Sequence, residues 1–347
     1  MKTALDLVER GYVPKPLVRR GIRKLLGERL REQEGLYAED HRRTLTDWAA
    51  QMRTSTIAPV PEKANEQHYE VPPAFFQRVL GRRLKYSSAF YADANTTLDE
   101  AEEAMLGLTC ERAELVDGQD VLELGCGWGS LTLWMAEHYP ASRITAVSNS
   151  APQRRHIEAR LAERGLTNVE VLTADMNEFR TERRFDRVVS VEMFEHMRNW
   201  EELLGRVRGW LRDDGRVFLH VFAHQRFAYP FEVRDETDWM SQHFFTGGMM
   251  PCPELFEAID APFEVEESWQ VPGTHYARTS EDWLRNLERN KDDVLALFAD
   301  TYGADQARRW YHRWRVFFLS CAELFGFDGG NEWIVFHVRL QPGRERS

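Results

Sequence analysis

The sequence predicts an α/β fold in which a parallel β-sheet carries helices on both faces. The first observation is an alternation of short apolar strands with helical segments between residues 120 and 223, which is typical of parallel strands joined by crossover helices. The second is a glycine-rich turn, GCGWG at 125–129, directly after the first strand. The third is an adjacent pair of ionisable residues, Glu195 and His196, at the end of the fourth strand.

The flanking segments are expected to supply further helices and the last strands. Residues 17–54 and 98–116 have helical patterns, and 57–67 between them is a polar link that contains proline. The remaining predicted elements, in chain order, are a strand at 215–223, an irregular aromatic-rich stretch at 224–262, a strand at 263–271, two helices within 279–326 and a closing strand at 332–340.

The bulk composition limits the class of protein. A chain of 347 residues, 43% of them hydrophobic, is enough for one large domain or two modest ones. Its net charge of -11 argues against nucleic acid as a partner, because phosphate binding needs a broad basic surface. The four cysteines lack C-x-x-C pairing, so we expect reduced thiols and no metal site. Without a long apolar run or a secretory leader pattern, a cytoplasmic location is expected.

Residues 15–31 form a strongly basic segment with leucine and isoleucine at roughly helical spacing. One interpretation is a packing helix with a solvated cationic face. The other is a helix that lies on an anionic membrane. The segment has no tryptophan or phenylalanine to anchor it in a bilayer, so the packing interpretation is preferred and membrane contact through 15–31 is the alternative.

The glycine-rich turn predicts a nucleotide-binding site. Gly125, Gly127 and Gly129 would let backbone amides and a helix N-terminus approach a ligand closely, because glycine allows tight backbone angles and has no Cβ. A plain strand-to-helix turn needs one glycine, so three at this spacing favour a ligand. Dinucleotide sites place an acid after the second strand. Here Asn149 and Gln153 follow that strand, and their amides are candidates for the same role.

Further candidate residues end the third and fourth strands. Asp175 either accepts a hydrogen bond from an exocyclic amine such as adenine N6 or caps the following segment. Glu192, Glu195 and His196 lie in SVEMFEHM, beside the first strand, at the switch point where open α/β sheets bind ligands. A lone histidine is usually a satisfied core or surface residue, but an adjacent Glu-His pair at this place favours a function.

Longer motifs run along nearly the whole chain: EQHYEVP, LGRRLKYSSAFY, TLDEAEEAML, VLELGCGWGSL, SNSAPQR, SVEMFEHMRNW, HFFTGGMMP, HYARTSEDWL and AELFGFDGGNEWIV. Together they resemble class I S-adenosylmethionine-dependent methyltransferases, and within these the alkaloid N-methyltransferases of the coclaurine and pavine type in the cyclopropane-fatty-acid synthase superfamily. The resemblance implies a Rossmann-like sheet with an N-terminal helical cap at 1–97, a cofactor-binding core at 98–223, and at 224–347 an aromatic-rich helical insertion that covers the substrate, with the last strands.

The resemblance also implies the residues of the site. The implied contacts to S-adenosylmethionine are Tyr86, Ser87 and Gly125 at the methionine end, Asn149 and Gln153 at the ribose, and Asp175 and Met176 at the adenine. The implied catalytic residues are Glu195, His196 and Glu70, while Glu192 would contact the cofactor or assist. A homodimer is the family's expected assembly.

The other branch of the superfamily makes cyclopropane rings on unsaturated acyl chains and uses a bound bicarbonate as base. Of its implied bicarbonate ligands, the sequence keeps Glu195, His220 and Tyr276. It departs from that branch at Ser88, Phe222 and Glu192, where the synthases have cysteine, isoleucine and glycine. These differences favour the N-methyltransferase branch, and a lipid-modifying enzyme is the alternative.

The chemistry of amine methylation gives the Glu-His pair a role. An aliphatic amine is mostly protonated near pH 7, so the site must bind an ammonium and remove its proton. We expect Glu195 and His196 to orient and deprotonate a small, aromatic-bearing amine, which argues against a protein that binds the cofactor without catalysis. Aromatic rings attract a cation. The candidates are Trp239, Phe244, Phe245, Tyr276, Trp333 and Phe336, and of these Trp239, Phe244, Tyr276 and Trp333 are the expected substrate contacts.

Overall fold

The structure, a computed structural model, describes residues 2–60, 71–234 and 238–343, with side chains from residue 4 onwards. Part of the predicted link, residues 61–67, and the candidate catalytic residue Glu70 lie outside the described residues. Their predicted roles therefore stay predictions.

A seven-stranded sheet forms the centre of the molecule. The described strands, in chain order, are β1 (Asp120–Leu124), β2 (Arg143–Ser148), β3 (Val169–Thr173), β4 (Phe185–Val191), β5 (Leu211–His224), β6 (Tyr229–Pro230), β7 (Met249–Met250), β8 (Phe263–Val271) and β9 (Trp333–Pro342). The main sheet has the order β3-β2-β1-β4-β5-β9-β8, and β6 pairs with β7 in a small separate sheet. Strands β1 to β5 are parallel, which confirms the predicted parallel sheet, whereas β9 runs antiparallel to both of its neighbours.

This strand order places the carboxyl ends of β1 and β4 side by side at the middle of the sheet. The chain leaves β1 toward β2 on one side and leaves β4 toward β5 on the other, so a crevice opens between them at the topological switch point. All five residues of β1 are buried, as expected for a strand covered on both faces. The sheet therefore sets the place of the functional site.

Helices surround the sheet. They are α1 (Lys2–Glu9), α2 (Lys15–Tyr37), α3 (His41–Arg53), α4 (Pro73–Val79), α5 (Leu98–Arg112), α6 (Ser130–His138), α7 (Ala151–Arg164), α8 (Trp200–Trp210), α9 (Trp239–His243), α10 (Leu255–Ala258), α11 (Gly273–Arg289), α12 (Lys291–Tyr302) and α13 (Ala304–Phe325). Among the described helices none is both long and apolar enough to cross a bilayer.

Two predicted helical segments are divided in the structure. The segment 17–54 is divided between α2 and α3. The second helix starts anew after Asp40, which caps it by accepting a hydrogen bond from the Arg43 N–H at 2.9 Å. The prediction of two helices within 279–326 is wrong, since three helices lie there. The extra break is at Gly303, whose φ of 91° favours glycine and ends α12 before α13 begins.

The basic segment 15–31 belongs to α2, which packs on α13. Arg19 and Arg23 both form ion pairs with Glu323 of α13, a side chain only 6% exposed. Lys15 pairs with Glu288 at 2.7 Å. Part of the basic charge of α2 thus joins this helix to α11 and α13, as the packing interpretation expects.

Candidate active site

The glycine-rich turn after β1 requires glycine for two separate reasons. Gly125 and Gly129 have φ values of 81° and 83°, which side chains rarely adopt. A Cβ on Gly125 would also lie 2.6 Å from the Cβ of Met193, and one on Gly129 would lie 2.6 Å from the Ile157 side chain. The turn therefore brings bare backbone to the crevice, and α6 begins directly after it with its N–H groups available for a ligand.

A cavity of about 640 Å³, including the space at its mouth, opens beside this turn. The predicted cofactor contacts that line it are Gly125, Gly127, Asn149, Gln153, Asp175 and Met176. Gln153 accepts a hydrogen bond at Oε1 from the Ser148 hydroxyl at 2.7 Å, and its buried Nε2 has no partner among the described residues. A buried donor left open at this point fits a ribose hydroxyl. Asp175 lines the cavity and accepts from the Asn177 N–H at 2.8 Å, as the capping interpretation expects, and its hydrogen bond with an exocyclic amine stays a prediction.

A second cavity of about 860 Å³ continues from the first, because Gly125, Gly127, Gln153 and His196 line both. The predicted residues Tyr86, Ser87 and Glu192 are on its wall, and so is Lys85, which the sequence did not single out. The two cavities together line a continuous space with polar groups for a nucleoside in the first and for an amino-acid tail in the second. The residues present therefore fit S-adenosylmethionine.

Glu192, on the wall of the second cavity, is held by several hydrogen bonds. Its Oε1 accepts hydrogen bonds from the Ser88 N–H at 2.9 Å and from Nε2 of His220 at 3.2 Å, and its Oε2 accepts from the Tyr276 hydroxyl at 2.7 Å. Its backbone has a φ of 48°, an uncommon conformation for a residue with a side chain. Such strain is retained where the surroundings hold the residue in place.

A buried lysine partly compensates the charge of Glu192. Lys85 is 2% exposed, and its Nζ donates to the Ser88 carbonyl at 2.7 Å and to the Ser87 hydroxyl. Burial lowers the pKa of Lys85 to about 8, against the opposing effect of Glu192 and Glu102. Burial likewise raises the pKa of Glu192, and the Lys85 charge is the largest influence that lowers it again. The carboxylate and the ammonium thus depend on each other for their charges.

Glu195 and His196 follow β4, as predicted, in a short 3₁₀ turn. Oε1 of Glu195 accepts from the Phe222 N–H at 2.6 Å, while its buried Oε2 has no partner among the described residues. Burial raises the pKa of Glu195 well above its usual value, and the nearby charge of Glu192 adds to this. Burial lowers the pKa of His196 to about 4, so its imidazole is neutral at physiological pH. The His196 ring stacks on Phe245 with 5.5 Å between centroids.

A third, largely apolar cavity adjoins the second. It measures about 2300 Å³ including its open mouth, and the two share Phe222, Phe245 and Tyr276. One wall is the apolar face of α2 with Leu17, Val18, Ile22, Leu25 and Leu26. The basic segment 15–31 therefore also encloses a cavity, which the sequence reasoning missed.

The structure places three of the four predicted substrate contacts on this third cavity. Trp239, Tyr276 and Trp333 line it. Phe244 lies outside the described lining, because its ring is 1% exposed and stacks on Phe317 with 4.3 Å between centroids. Its neighbour Phe245 is on the cavity wall instead. The contact of Phe244 with the substrate stays a prediction, and the adjacent candidate Phe245 faces the cavity.

Comparisons with known proteins agree with this arrangement. Residues 59–331 match the family model described as mycolic acid cyclopropane synthetase. (S)-coclaurine N-methyltransferase of Thalictrum flavum subsp. glaucum is 39% identical over 338 residues, which are 96% of this chain and 94% of that protein. The chain belongs to this family of methyltransferases. A crystal structure of coclaurine N-methyltransferase bound to N-methylheliamine and SAH superposes with a TM-score of 0.94 and 37% identity, and covers 98% of this chain and 99% of that one.

Membership of the family confirms several predictions. The protein is an S-adenosylmethionine-dependent N-methyltransferase with the class I methyltransferase sheet. The lipid-modifying branch is a more distant relation: cyclopropane-fatty-acyl-phospholipid synthase of Escherichia coli (strain K12) is 29% identical over 281 residues, 80% of this chain and 68% of that protein.

Proposed function

We propose that this N-methyltransferase acts on the nitrogen of a benzylisoquinoline-like amine or a simpler aromatic-bearing amine. The observation that carries the proposal is the junction of the apolar cavity with the cofactor cavity at Tyr276, Phe222 and Phe245, next to His196. The apolar cavity takes a flat aromatic molecule between rings such as Trp239 and Trp333. An amine held there presents its nitrogen at the junction.

Glu195 and His196 have the properties that the deprotonation step needs. When bound, S-adenosylmethionine supplies an electrophilic methyl group. Oε2 of Glu195, open among the described residues, receives the N–H of the incoming ammonium, and this positive charge favours the carboxylate form. The raised pKa of Glu195 makes the carboxylate a stronger base than an ordinary glutamate. His196, neutral at physiological pH, lines both cofactor cavities and stacks on Phe245, so its ring borders the amine at the junction.

The contacts of Glu192 favour amine methylation over the lipid alternative. By the family resemblance, His220 and Tyr276 would bind bicarbonate in the cyclopropane-forming branch. In this chain both side chains bond to the carboxylate of Glu192 instead. A fixed protein carboxylate therefore takes up the donors that a bicarbonate would use.

Labelled-methyl transfer by the purified full chain tests the proposal. The acceptors are a tetrahydrobenzylisoquinoline, a simple tetrahydroisoquinoline, a phenethylamine and unsaturated phospholipid vesicles in parallel. We expect label in the ring amines and none in acyl chains. Glu195→Gln and His196→Asn are expected to lower kcat about 100-fold while S-adenosylmethionine binding persists, whereas His138→Gln, on the exposed end of α6, retains activity. Label in acyl chains alone would overturn the proposal.

The oligomeric state and the cellular location of the protein stay predictions. A homodimer is expected from the family, and a cytoplasmic location from the sequence pattern. Sedimentation of the purified chain and localisation of a tagged copy measure the two directly.

A further inference from the structure

A line of buried hydrogen bonds leads from the cofactor cavity into the sheet. Nε2 of His220 lies 3.2 Å from Oε1 of Glu192. Nδ1 of His220 lies 2.9 Å from Nε2 of His337, and Nδ1 of His337 lies 2.7 Å from a guanidinium nitrogen of Arg112. His220 and His337 are directly opposite each other on β5 and β9, and both are 0% exposed.

The chemistry of the last member sets the direction of every bond in this line. An arginine side chain has only donors, so Arg112 donates to Nδ1 of His337. A neutral imidazole that accepts at Nδ1 carries its proton on Nε2, so His337 donates to Nδ1 of His220. By the same rule His220 carries its proton on Nε2 and donates to the carboxylate of Glu192. One guanidinium thereby fixes the tautomers of two histidines.

The same direction excludes a proton exit through the line. Arg112 stays protonated in proteins and cannot accept a proton, so a proton that entered from Glu192 would have no acceptor at the far end. Burial lowers the pKa of both His220 and His337 well below the usual value, with Lys85 and Arg112 adding to the effect. Both rings are therefore neutral donors with a fixed orientation.

The consequence concerns Glu192. If His337 lost its donor at Nδ1, both imidazoles could change tautomer, and Nε2 of His220 would then present a lone pair to Oε1 of Glu192. Two acceptors at hydrogen-bond distance repel each other, so the carboxylate would take up a proton or turn away. Its remaining contacts to Ser88 and Tyr276 depend on the same orientation.

We propose that Arg112, acting through His337, is a positioning residue that holds His220 as a donor and so keeps Glu192 an oriented acceptor at the methyl-transfer site. Neither Arg112 nor His337 is on the described lining of the three cavities, so both act at a distance. The kinetic part of this inference rests on the proposed function, whereas the direction of the bonds does not.

Histidine ¹⁵N spectra of the full chain without substrate test the direction. We expect His220 and His337 each to show a protonated Nε2 and a bare Nδ1, assigned through His220→Gln and His337→Gln. In Arg112→Met, loss of this pattern in His337 is expected. A protonated Nδ1 on either ring of the unsubstituted protein would overturn the proposal, whatever amine the enzyme accepts.

Steady-state kinetics test the positioning role. Arg112→Met and His337→Leu are expected to lower kcat about 10-fold with the KM for S-adenosylmethionine within twofold. His337→Gln, whose amide can still donate to His220, is expected to retain most of kcat. Arg187→Met is the matched control, since this half-buried arginine binds carbonyls just after α5 outside the line, and it should leave kcat within twofold. Equal kcat in Arg112→Met and the unsubstituted enzyme would contradict the role.

Failure of the proposed function is distinguishable from failure of this inference. If no amine in the panel is methylated, the proposed function fails, while the ¹⁵N spectra still decide the direction of the bonds. If amines are methylated but His337→Leu and His337→Gln behave alike, the positioning role fails alone.

Discussion

The hydroxyl of Tyr276 donates a hydrogen bond to Oε2 of Glu192 at 2.7 Å. The Tyr276 ring stacks on Phe325 with 4.2 Å between centroids and also lines the apolar cavity. Tyr276 of α11 thus contacts the Glu192 carboxylate in the cofactor cavity and also forms part of the wall of the apolar cavity. This hydrogen bond links α11 to the end of β4.

Removal of that hydroxyl separates the two contacts. Tyr276→Phe keeps the ring on Phe325 but takes one donor from Glu192, and a hydrogen bond to a charged group contributes about 2 kcal/mol. We expect kcat to fall about 10-fold. The matched control is Tyr91→Phe, which removes a 2.7 Å bond from a tyrosine to Asp282 away from the cavities. Equal losses of kcat in the two variants would show that the Glu192 contact has no special effect.

The glycine-rich turn offers a comparison between steric clash and backbone strain. A Cβ at Gly125 would meet Met193 at 2.6 Å, whereas a Cβ at Gly127 meets nothing within 4 Å, although both residues have positive φ. We expect Gly125→Ala to weaken S-adenosylmethionine binding at least 10-fold and Gly127→Ala to weaken it less. Calorimetric titration of the cofactor measures both. Equal losses would mean that strain, not the contact with Met193, determines the effect.

Much of the fold could be predicted from the sequence because its strands are short apolar runs between helices. The parallel core from β1 to β5 follows from that alternation and from the rule that such crossovers place helices on the sheet. The division of 279–326 into three helices could not be predicted, since it depends on the backbone conformation of Gly303. Glycine is compatible both with a helix and with a break, so its presence alone does not decide between them.

Some residues of the candidate site could also be predicted from the sequence, and others could not. The residues that end β1 and β4, such as Gly125 and Glu195, could be found because the ends of parallel strands meet at one edge. Lys85 and His337 could not, because a single lysine in a loop or a single histidine in an apolar strand has no sequence pattern that marks a buried partner. Phe244 and Phe245 are a similar case, because adjacent aromatic residues differ only in which one the local backbone turns toward the cavity.

A buried carboxyl in the core of the site predicts a pH dependence of stability. Burial raises the pKa of Glu123 to about 7, and the hydroxyl of Thr132 is its hydrogen-bond donor. A raised pKa in the folded state means that the folded protein holds a proton that the unfolded chain has lost above pH 4.5, so stability falls as pH rises from about 4.5 to 7.

The Glu123→Gln variant has no carboxyl group to titrate at this position. Its comparison with the unsubstituted protein therefore measures the effect of Glu123 on stability. Between pH 4.5 and pH 8 the free energy of unfolding of the unsubstituted protein should fall by about 3 kcal/mol more than that of the variant. Urea unfolding at several pH values across this range provides the comparison. A difference between the two proteins that does not change with pH would contradict the raised pKa.

The ion pairs between Glu323 of α13 and Arg19 and Arg23 of α2, called the clasp below, should control access to the apolar cavity, where the amine acceptor is expected to bind. Glu323 of α13 binds both Arg19 and Arg23 of α2, and the apolar face of the same helix lines the cavity. These arginines hold the pKa of Glu323 below its usual value although burial opposes this, so the carboxylate is ionised at physiological pH. Its charge therefore helps to keep α2 in place over the acceptor.

Glu323→Gln weakens the clasp without removing a wall residue. Partly exposed ion pairs contribute at most about 1 kcal/mol, so we expect the KM for the amine to rise about 5-fold, with kcat and cofactor affinity nearly unchanged. The matched control is Glu137→Gln, because Glu137 also binds two arginines, Arg83 and Arg164, away from α2. A rise in the KM for the amine in Glu323→Gln alone identifies α2 as a mobile wall, since a general loss of stability would affect both variants. If cofactor affinity falls in parallel with amine affinity, the clasp stabilises the whole site and α2 has no separate role in acceptor entry.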